Sequence, residues 1–404
     1  MNKDIRILFS TRILRMFAYG FLSVVLALYL AQRGLSEGQI GLLLTLTLAG
    51  DAAITLWITT SADRVGRRRM LIIGAGLMIM AGLIFNLTGN YILLVVTAII
   101  GVISPSGNEI GPFLSIEQAA LSQLLPDQKR TQIFAWYNLV GSFATASGAL
   151  AGGGLSQLLQ AGGTTPLNSY RAVLLGYTLV GVVLADLFLL LSHSVEAPKL
   201  AEGPVTPRRL GLHRSRGVVF RLSSLFAVDA FAGGLVVQSM VAYWFNIKFG
   251  VQPAVLGGIF FGANILAGIS ALSATWIARR IGLINTMVFT HIPSNILLIL
   301  VPLMPTLPLA ITALLLRFSI SQMDVPTRQS YTMAVVSSDE RSAAMGVTSI
   351  ARSVGATLSP AITGQLLAAP GLIGAPFVIA GGLKILYDLL MWRGFRSIKP
   401  PEEI

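Results

Sequence analysis

Twelve long apolar runs, separated by short polar connections, constrain the fold more than any other feature of this sequence. About 20 apolar residues cross the hydrocarbon core as an α-helix, and lipid leaves backbone groups unsatisfied outside helices and closed barrels. The pattern therefore predicts an all-α integral membrane protein with twelve transmembrane helices. The runs lie near residues 10–31, 38–60, 70–88, 91–121, 131–160, 171–192, 219–246, 253–278, 283–303, 307–334, 342–368 and 373–392.

Composition agrees with a membrane protein and excludes several kinds of site. Hydrophobic residues make up 54% of the chain and charged residues only 11%, whereas soluble domains carry about 25% charged residues. The absence of cysteine excludes disulfides and thiolate metal sites, and the scattered histidines predict no metal cluster. No Walker loop, dehydrogenase fingerprint or zinc-ligand pattern stands out. We therefore expect neither an enzyme nor a cofactor.

Basic residues indicate how the chain is oriented. Most of the 29 lysines and arginines lie in alternate connections such as "DRVGRRR", "LPDQKR" and "ARRIG", together with both ends of the chain. Cytoplasmic loops of membrane proteins carry this excess. The pattern predicts that both termini and the 193–217 segment are cytoplasmic, and it accounts for the net charge of +12 without a nucleic-acid partner. The compact loops fit a bacterial inner membrane.

The sequence divides into two similar halves. Residues 193–217 form the only long polar stretch, and their prolines and mixed charges are typical of a linker. An offset of 216 residues aligns Gly34 with Gly250 and "ADRVG" with "ARRIG". Parallel six-helix repeats predict two bundles around a central cavity. We expect a bundle at 1–192, a linker at 193–217 and a second bundle at 218–404.

The loop after the second run carries the most specific motif, "TTSADRVGRRR". Together with the twelve runs and the half-repeat, it resembles the major facilitator superfamily, although Thr59 replaces the leading glycine of the family's motif. The resemblance implies a cytoplasmic latch, in which the aspartate meets the positive end of a neighbouring helix and the basic residues pair across the bundle. The matching residues are Asp63, Arg64, Gly66, Arg67 and Arg68. The alternative is that the arginines only set topology.

Charged residues at membrane depth are the candidates for the site, because such charges normally face a partner or water. The candidates for substrate binding or proton coupling are Glu109, Asp324, Asp51, Asp229, Arg15, Arg317 and Arg352. Glu109 lies beside Gly107, Gly111 and Pro112, which predict an open backbone. Its alternative role is a fixed ion pair with Arg15 or Arg12.

Helical spacing predicts several groupings of these charges. Spacings of seven and four place Arg317, Asp324 and Arg328 on one face. Lys384 and Asp388 are four apart, so we expect them to neutralise each other. An offset of 211 pairs Glu117 with Arg328 and Arg130 with Arg341. These four residues are candidates for a cytoplasmic gate, in which a Glu117–Arg328 salt bridge forms on closure.

The sequence and the resemblance together predict a monomeric secondary transporter in the lipid bilayer. We expect it to move a small organic solute by alternating access, coupled to protons and directed outwards. "SGALAGGG" matches the family's antiporter pattern only in part, with Ala149 at the place of its proline. An uncoupled or anion-selective facilitator or uptake carrier is the alternative within transport. A membrane sensor with a transporter-like fold is the alternative of another class.

Overall fold

The computed structural model describes residues 3–108, 113–125, 127–196, 212, 214–337 and 340–398, with the side chains at 60, 63, 127–132, 135 and 342 outside the description. These residues form helices and connecting turns, with no strand among them. The helices are α1 (Lys3–Ser23), α2 (Leu26–Gln32), α3 (Glu37–Val65), α4 (Arg67–Leu87), α5 (Tyr91–Ile100), α6 (Phe113–Leu124), α7 (Asp127–Ala161), α8 (Pro166–Leu189), α9 (Arg216–Gly234), α10 (Gln238–Phe249), α11 (Pro253–Ile281), α12 (Leu283–Leu300), α13 (Leu307–Phe318), α14 (Asp324–Ala334), α15 (Arg341–Thr357), α16 (Ser359–Ala368) and α17 (Ala375–Phe395).

The predicted apolar runs correspond either to one helix or to two consecutive helices. Seven spans in the described residues are long and apolar enough to cross a membrane. An eighth is obtained if α1 and α2, which bend by 42°, form a single span. The predicted all-α membrane fold is therefore confirmed, and the twelve predicted helices are consistent with it.

Several of the predicted membrane-spanning runs are interrupted between two helices. In the fourth run, α5 ends at Ile100 and α6 begins at Phe113, where the glycines and proline predict an open backbone. Gly107 has a φ of +69°. Polar groups released by the break find partners inside the protein, because the Ser104 hydroxyl donates to the Asn108 carbonyl at 2.8 Å. The Ser239 amide donates to the Pro105 carbonyl at 3.0 Å. Buried partners are what make such breaks tolerable.

Four glycines mark equivalent turns in the two halves of the sequence. Gly34 and Gly250 have φ values of +85° and +65°, and Gly66 and Gly282 have values of +114° and +84°. Glycine adopts positive φ without the Cβ penalty of other residues. Both pairs are separated by the predicted offset of 216. The sequence repeat therefore extends to the backbone conformation of its turns.

The first compact unit comprises Met1–Ala201 and Val237–Asn264. Its helices approach closely at glycines: a Cβ on Gly153 of α7 would lie 2.2 Å from the Pro253 carbonyl oxygen of α11. A Cβ on Gly152 would lie 2.1 Å from the Phe21 carbonyl oxygen of α1. Such distances admit only hydrogen, so these glycines allow the helices to pack.

The second compact unit comprises Glu202–Val236 and Ile265–Ile404. Within it, Leu222, Phe226, Met287, Tyr331 and Tyr387 form part of a buried core built by α9, α12, α14 and α17. Contacts thus assign Val237–Asn264 to the first unit. The bundle boundaries at 192 and 218 describe the sequence repeat and remain a prediction.

Candidate functional site

Glu117 lies at the centre of a buried cluster in the first unit. Its carboxylate accepts hydrogen bonds from both terminal nitrogens of Arg15, at 2.8 and 2.7 Å, and from the Thr11 hydroxyl at 2.8 Å. The Tyr137 hydroxyl donates the fourth bond. Thr11 and Arg15 share one face of α1 because they are four residues apart. Each carboxylate oxygen therefore has two donors.

Aromatic rings and a glycine complete this Glu117 cluster, which we define as Thr11, Arg12, Arg15, Glu117 and Tyr137. The Arg15 guanidinium carbon lies 4.7 Å from the centre of the Phe113 ring, and that of Arg12 lies 4.9 Å from the Tyr137 ring centre. These distances allow cation–π attraction. A Cβ on Gly141 would lie 2.7 Å from Arg12 Nε, so Gly141 leaves room for Arg12.

A second buried cluster surrounds Asp229 in the second unit. Asp229 Oδ1 accepts from Lys384 Nζ at 2.5 Å, and Oδ2 accepts from Arg352 at 2.8 Å and from Arg328 at 3.3 Å. Arg328 also donates to Asp324 at 2.6 Å. We define these five residues as the Asp229 cluster; they come from α9, α14, α15 and α17. One carboxylate is thus shared by three cations.

A neighbouring pair involves Asp388, four residues after Lys384 on α17. His291 Nδ1 lies 2.9 Å from Asp388 Oδ1, and the Asn295 side-chain amide donates to Oδ2 at 3.2 Å. The expectation that Lys384 and Asp388 neutralise each other is therefore wrong. Residues of α9 and α12 provide closer partners than the neighbouring turn of α17 does.

The prediction that Arg317, Asp324 and Arg328 share one helical face is correct only for Asp324 and Arg328. Asp324 and Arg328 are hydrogen-bonded on α14, as their spacing predicts. Arg317 lies on α13, and the helix is interrupted between Phe318 and Asp324. The guanidinium carbon of Arg317 lies 4.9 Å from the Phe318 ring centre. Its seven-residue spacing from Asp324 therefore does not run along one continuous helix.

The two clusters contain the same kind of ion pair with the signs exchanged. In the first unit, Arg15 from the first run pairs with Glu117 from the fourth. In the second, Asp229 from the seventh run pairs with Arg328 from the tenth. Glu117 and Arg328 are the residues that the 211 offset aligns. Each has partners in its own unit, and their predicted salt bridge on closure remains a prediction.

The loop motif is tied to the segment that follows α8. The Glu196 carboxylate accepts from the backbone amides of Arg67 at 2.6 Å and Arg68 at 3.3 Å, at the N-terminus of α4. The Arg67 side chain donates to Gln123 at 3.0 Å and to the Val195 carbonyl at 3.3 Å. A negative charge at a helix N-terminus is stabilised by the helix dipole. Glu196 is therefore an acid that contacts the N-terminus of α4, and the latch role predicted for Asp63 is not tested by this contact.

An equivalent contact exists at the start of α9 in the second unit. Buried Glu340 accepts from the backbone amides of Arg214 at 2.9 Å and Ser215 at 2.8 Å. Its neighbour Arg341 is exposed and donates through Nε to the Met333 carbonyl at 2.9 Å. Each unit thus uses a carboxylate to hold a polypeptide turn at one end of its helices.

The remaining predicted residues divide between described and undescribed positions. Arg64 is exposed, and Asp51 is half-buried on α3. Glu109 lies outside the described residues, as do the side chains of Asp63 and Arg130. The roles of these three residues remain predictions.

Sequence reasoning missed several members of the two clusters. Tyr137 and Lys384 belong to the clusters, and His291 and Asn295 contact the neighbouring Asp388, but none of the four is among the predicted site residues. The available signal was their polarity within apolar runs, since buried polar groups need partners. That signal marks the residues without identifying which helix supplies each partner.

Known proteins resemble this chain in both sequence and fold. The sequence pattern described as Major Facilitator Superfamily matches residues 8–323. A Saccharomyces cerevisiae protein, named as the uncharacterized membrane protein YJR124C, is 32% identical over 96% of this chain and 93% of its own length.

Two solved structures share the fold at low sequence identity. A bacterial homologue of the human lysosomal transporter Spinster, in an inward-facing and occupied conformation, superposes with a TM-score of 0.74 at 17% identity, covering 98% of this chain and 96% of its own. A D-xylose–proton symporter superposes with a TM-score of 0.73 at 16% identity, covering 98% of each chain.

Proposed function

We infer, because this chain belongs to the major facilitator superfamily, that it is a secondary transporter moving a small organic solute by alternating access. The observation that carries the proposal is the Asp229 cluster. One buried carboxylate accepts from Lys384, Arg328 and Arg352. A carboxylate shared in this way can lose one cation to a solute or to a helix movement and still keep a partner. Exchange of partners at membrane depth is what a carrier needs and a passive scaffold does not.

We propose coupling to protons, with Asp324 as the first candidate for the coupling acid. Asp324 forms one ion pair within the described residues, with Arg328 at 2.6 Å. Arg328 also reaches Asp229 at 3.3 Å. Uptake of a proton by Asp324 would therefore leave Arg328 with a carboxylate partner, whereas uptake by Asp229 would affect three cations at once. Glu109, Asp51 and Asp229 are the rival candidates.

The proposal keeps the orientation and direction that the sequence predicts. Both termini lie in the cytoplasm, since the basic connections fall on one side. Transport is directed out of the cytoplasm, because the intramembrane charges concentrate towards the cytoplasmic side, where a solute would enter the site. The working unit is a monomer in a plasma or inner membrane, and its partners are the solute, protons and lipid.

Proton and solute flux in proteoliposomes test the proposal. Purified protein is reconstituted, a pH gradient is imposed, and matched anionic, neutral and cationic solutes are added in turn. We expect solute-triggered proton movement in the wild type and its loss in Asp324→Asn, with Glu109→Gln as the rival variant. Asp186→Asn is the control, because Asp186 is exposed on α8.

Each outcome has a distinct meaning. Proton movement abolished only by Glu109→Gln would transfer the coupling role to Glu109. Solute movement without proton movement would favour an uncoupled facilitator, and accumulation on the cytoplasmic side would favour uptake. No movement of any solute would contradict the transporter proposal itself.

A further inference from the structure

We propose that the second unit binds a single anionic group of the transported solute, a carboxylate or a phosphate, through Arg317 and Arg352. This inference rests on the proposed transport function and names the substrate class for it. Both arginines belong to the unit that contains the Asp229 cluster. They differ from Arg328 and Lys384 in their ion pairing and in their exposure.

The charges of this region do not balance. Among the residues that the structure describes, Arg317, Arg328, Arg352 and Lys384 carry four positive charges here, whereas Asp229, Asp324 and Asp388 carry three negative ones. His291 adds no charge while it is neutral. An unbalanced charge at membrane depth is unfavourable and normally faces a partner or water. One bound monoanion would supply the missing negative charge.

In the described part of this unit's charged region, Arg317 is the cation that pairs with no carboxylate. Among the described residues its side chain forms no ion pair and no hydrogen bond, and its Nε is buried without a partner. Its guanidinium carbon forms a cation–π contact with the Phe318 ring. Asp324 and, more weakly, Asp229 act on it electrostatically. A guanidinium has five N–H donors, so Arg317 keeps its full binding capacity.

Arg352 is the cation that is open to a ligand. It uses one donor, towards Asp229 at 2.8 Å. Its side chain is 34% exposed, compared with 7% for Arg328 and 9% for Lys384. Arg328 and Lys384 are therefore enclosed by their partners, while Arg352 has further donors in reach of a solute.

The chemistry of these groups selects an anion. A guanidinium is planar and matches the oxygens of a carboxylate or phosphate in a two-point contact. A cationic solute would be repelled by four nearby cations, and both oxygens of Asp229 and Oδ2 of Asp324 already accept from arginine or lysine. A neutral solute would leave the excess charge of Arg317 uncompensated.

Binding to the purified full-length protein tests the inference. Thermal stabilisation is measured in neutral detergent with benzoate, lactate and phenyl phosphate, and with their counterparts benzamide, lactamide and benzylammonium. We expect stabilisation by at least one anion and by none of its counterparts. Arg317→Gln should weaken that binding at least about tenfold, since a hydrogen bond to a charged group is lost. Arg317→Lys should weaken it less, because the charge remains.

The control and the reverse outcomes separate the two proposals. Arg280→Gln removes an exposed arginine of α11 whose guanidinium carbon lies 3.7 Å from the Trp276 ring centre, and it should leave anion binding unchanged. Anion binding that survives Arg317→Gln, or stabilisation only by the neutral or cationic probes, would overturn the inference. Phosphatidylglycerol is added separately as a lipid anion, and stabilisation by it with none by the soluble anions would also overturn the inference.

Transport of the same probes then distinguishes the failures. If benzamide or benzylammonium moves and the anions neither bind nor move, the substrate class is wrong and the transporter proposal stands. If the anions bind at Arg317 but nothing moves, the site stands and the transporter proposal fails.

Discussion

Replacing Glu117 with glutamine should be the most destabilising single change in the first unit. The substitution keeps the shape of the side chain but leaves the Arg15 guanidinium buried without a negative charge. Removing one partner of a buried ion pair costs about 3–5 kcal/mol of unfolding free energy. Arg15→Gln should cost less, about 1–3 kcal/mol. In Arg15→Gln the Glu117 carboxyl keeps its hydrogen bonds from the Thr11 and Tyr137 hydroxyls and can take up a proton. In Glu117→Gln the Arg15 guanidinium cannot lose its proton.

Reversible unfolding by SDS in mixed micelles, followed by the fluorescence of the five tryptophans, measures these differences. The double variant Arg15→Met/Glu117→Gln should be more stable than Glu117→Gln alone, because the unpaired charge is gone. Asp186→Asn, an exposed acid of the same unit, should change stability by less than about 0.5 kcal/mol. Equal losses for Glu117→Gln and Arg15→Gln, or a loss below about 1 kcal/mol for Glu117→Gln, would refute the reasoning.

Three further predictions use the same unfolding measurement. Glu196→Ala should lose about 0.5–2 kcal/mol, as for a lost helix cap, and Glu196→Gln should lose less; no loss would mean that the carboxylate does not hold α4. Gly66→Ala should cost more than Gly250→Ala, which should cost about 1–2 kcal/mol, because a Cβ at Gly66 would also lie 3.3 Å from the Glu196 carboxylate; the reverse order would count against that contact. Gly153→Val should cost about 1–3 kcal/mol through overpacking, whereas Gly154→Val, which faces open space, should be tolerated; equal effects would contradict the helix approach.

Sequence periodicity predicted the features that depend on neighbours along the chain. The run lengths gave the helices, the offset of 216 gave the paired turns at Gly66 and Gly282, and the four-residue spacing gave the Asp324–Arg328 bond. Partners on other helices could not be predicted in this way, because they depend on how each helix is rotated and packed. Lys384 therefore bonds Asp229 on α9, 155 residues away, in preference to the acid one turn along its own helix.

The central ion pairs of the two clusters differ in how completely they are enclosed, and this difference favours the second unit as the place where a solute binds. Glu117 receives four hydrogen bonds, and Arg15 matches it with a two-point contact, both fully buried. A buried ion pair with satisfied hydrogen bonds stiffens the structure around it, so the Glu117–Arg15 pair suits a fixed support. In the Asp229 cluster the Arg352 side chain is 34% exposed, and Arg317 of the same unit forms no ion pair within the described part of the chain. Because binding energy comes from groups that are not already satisfied, a solute should gain most from the second unit, and substitutions there should change selectivity more than stability.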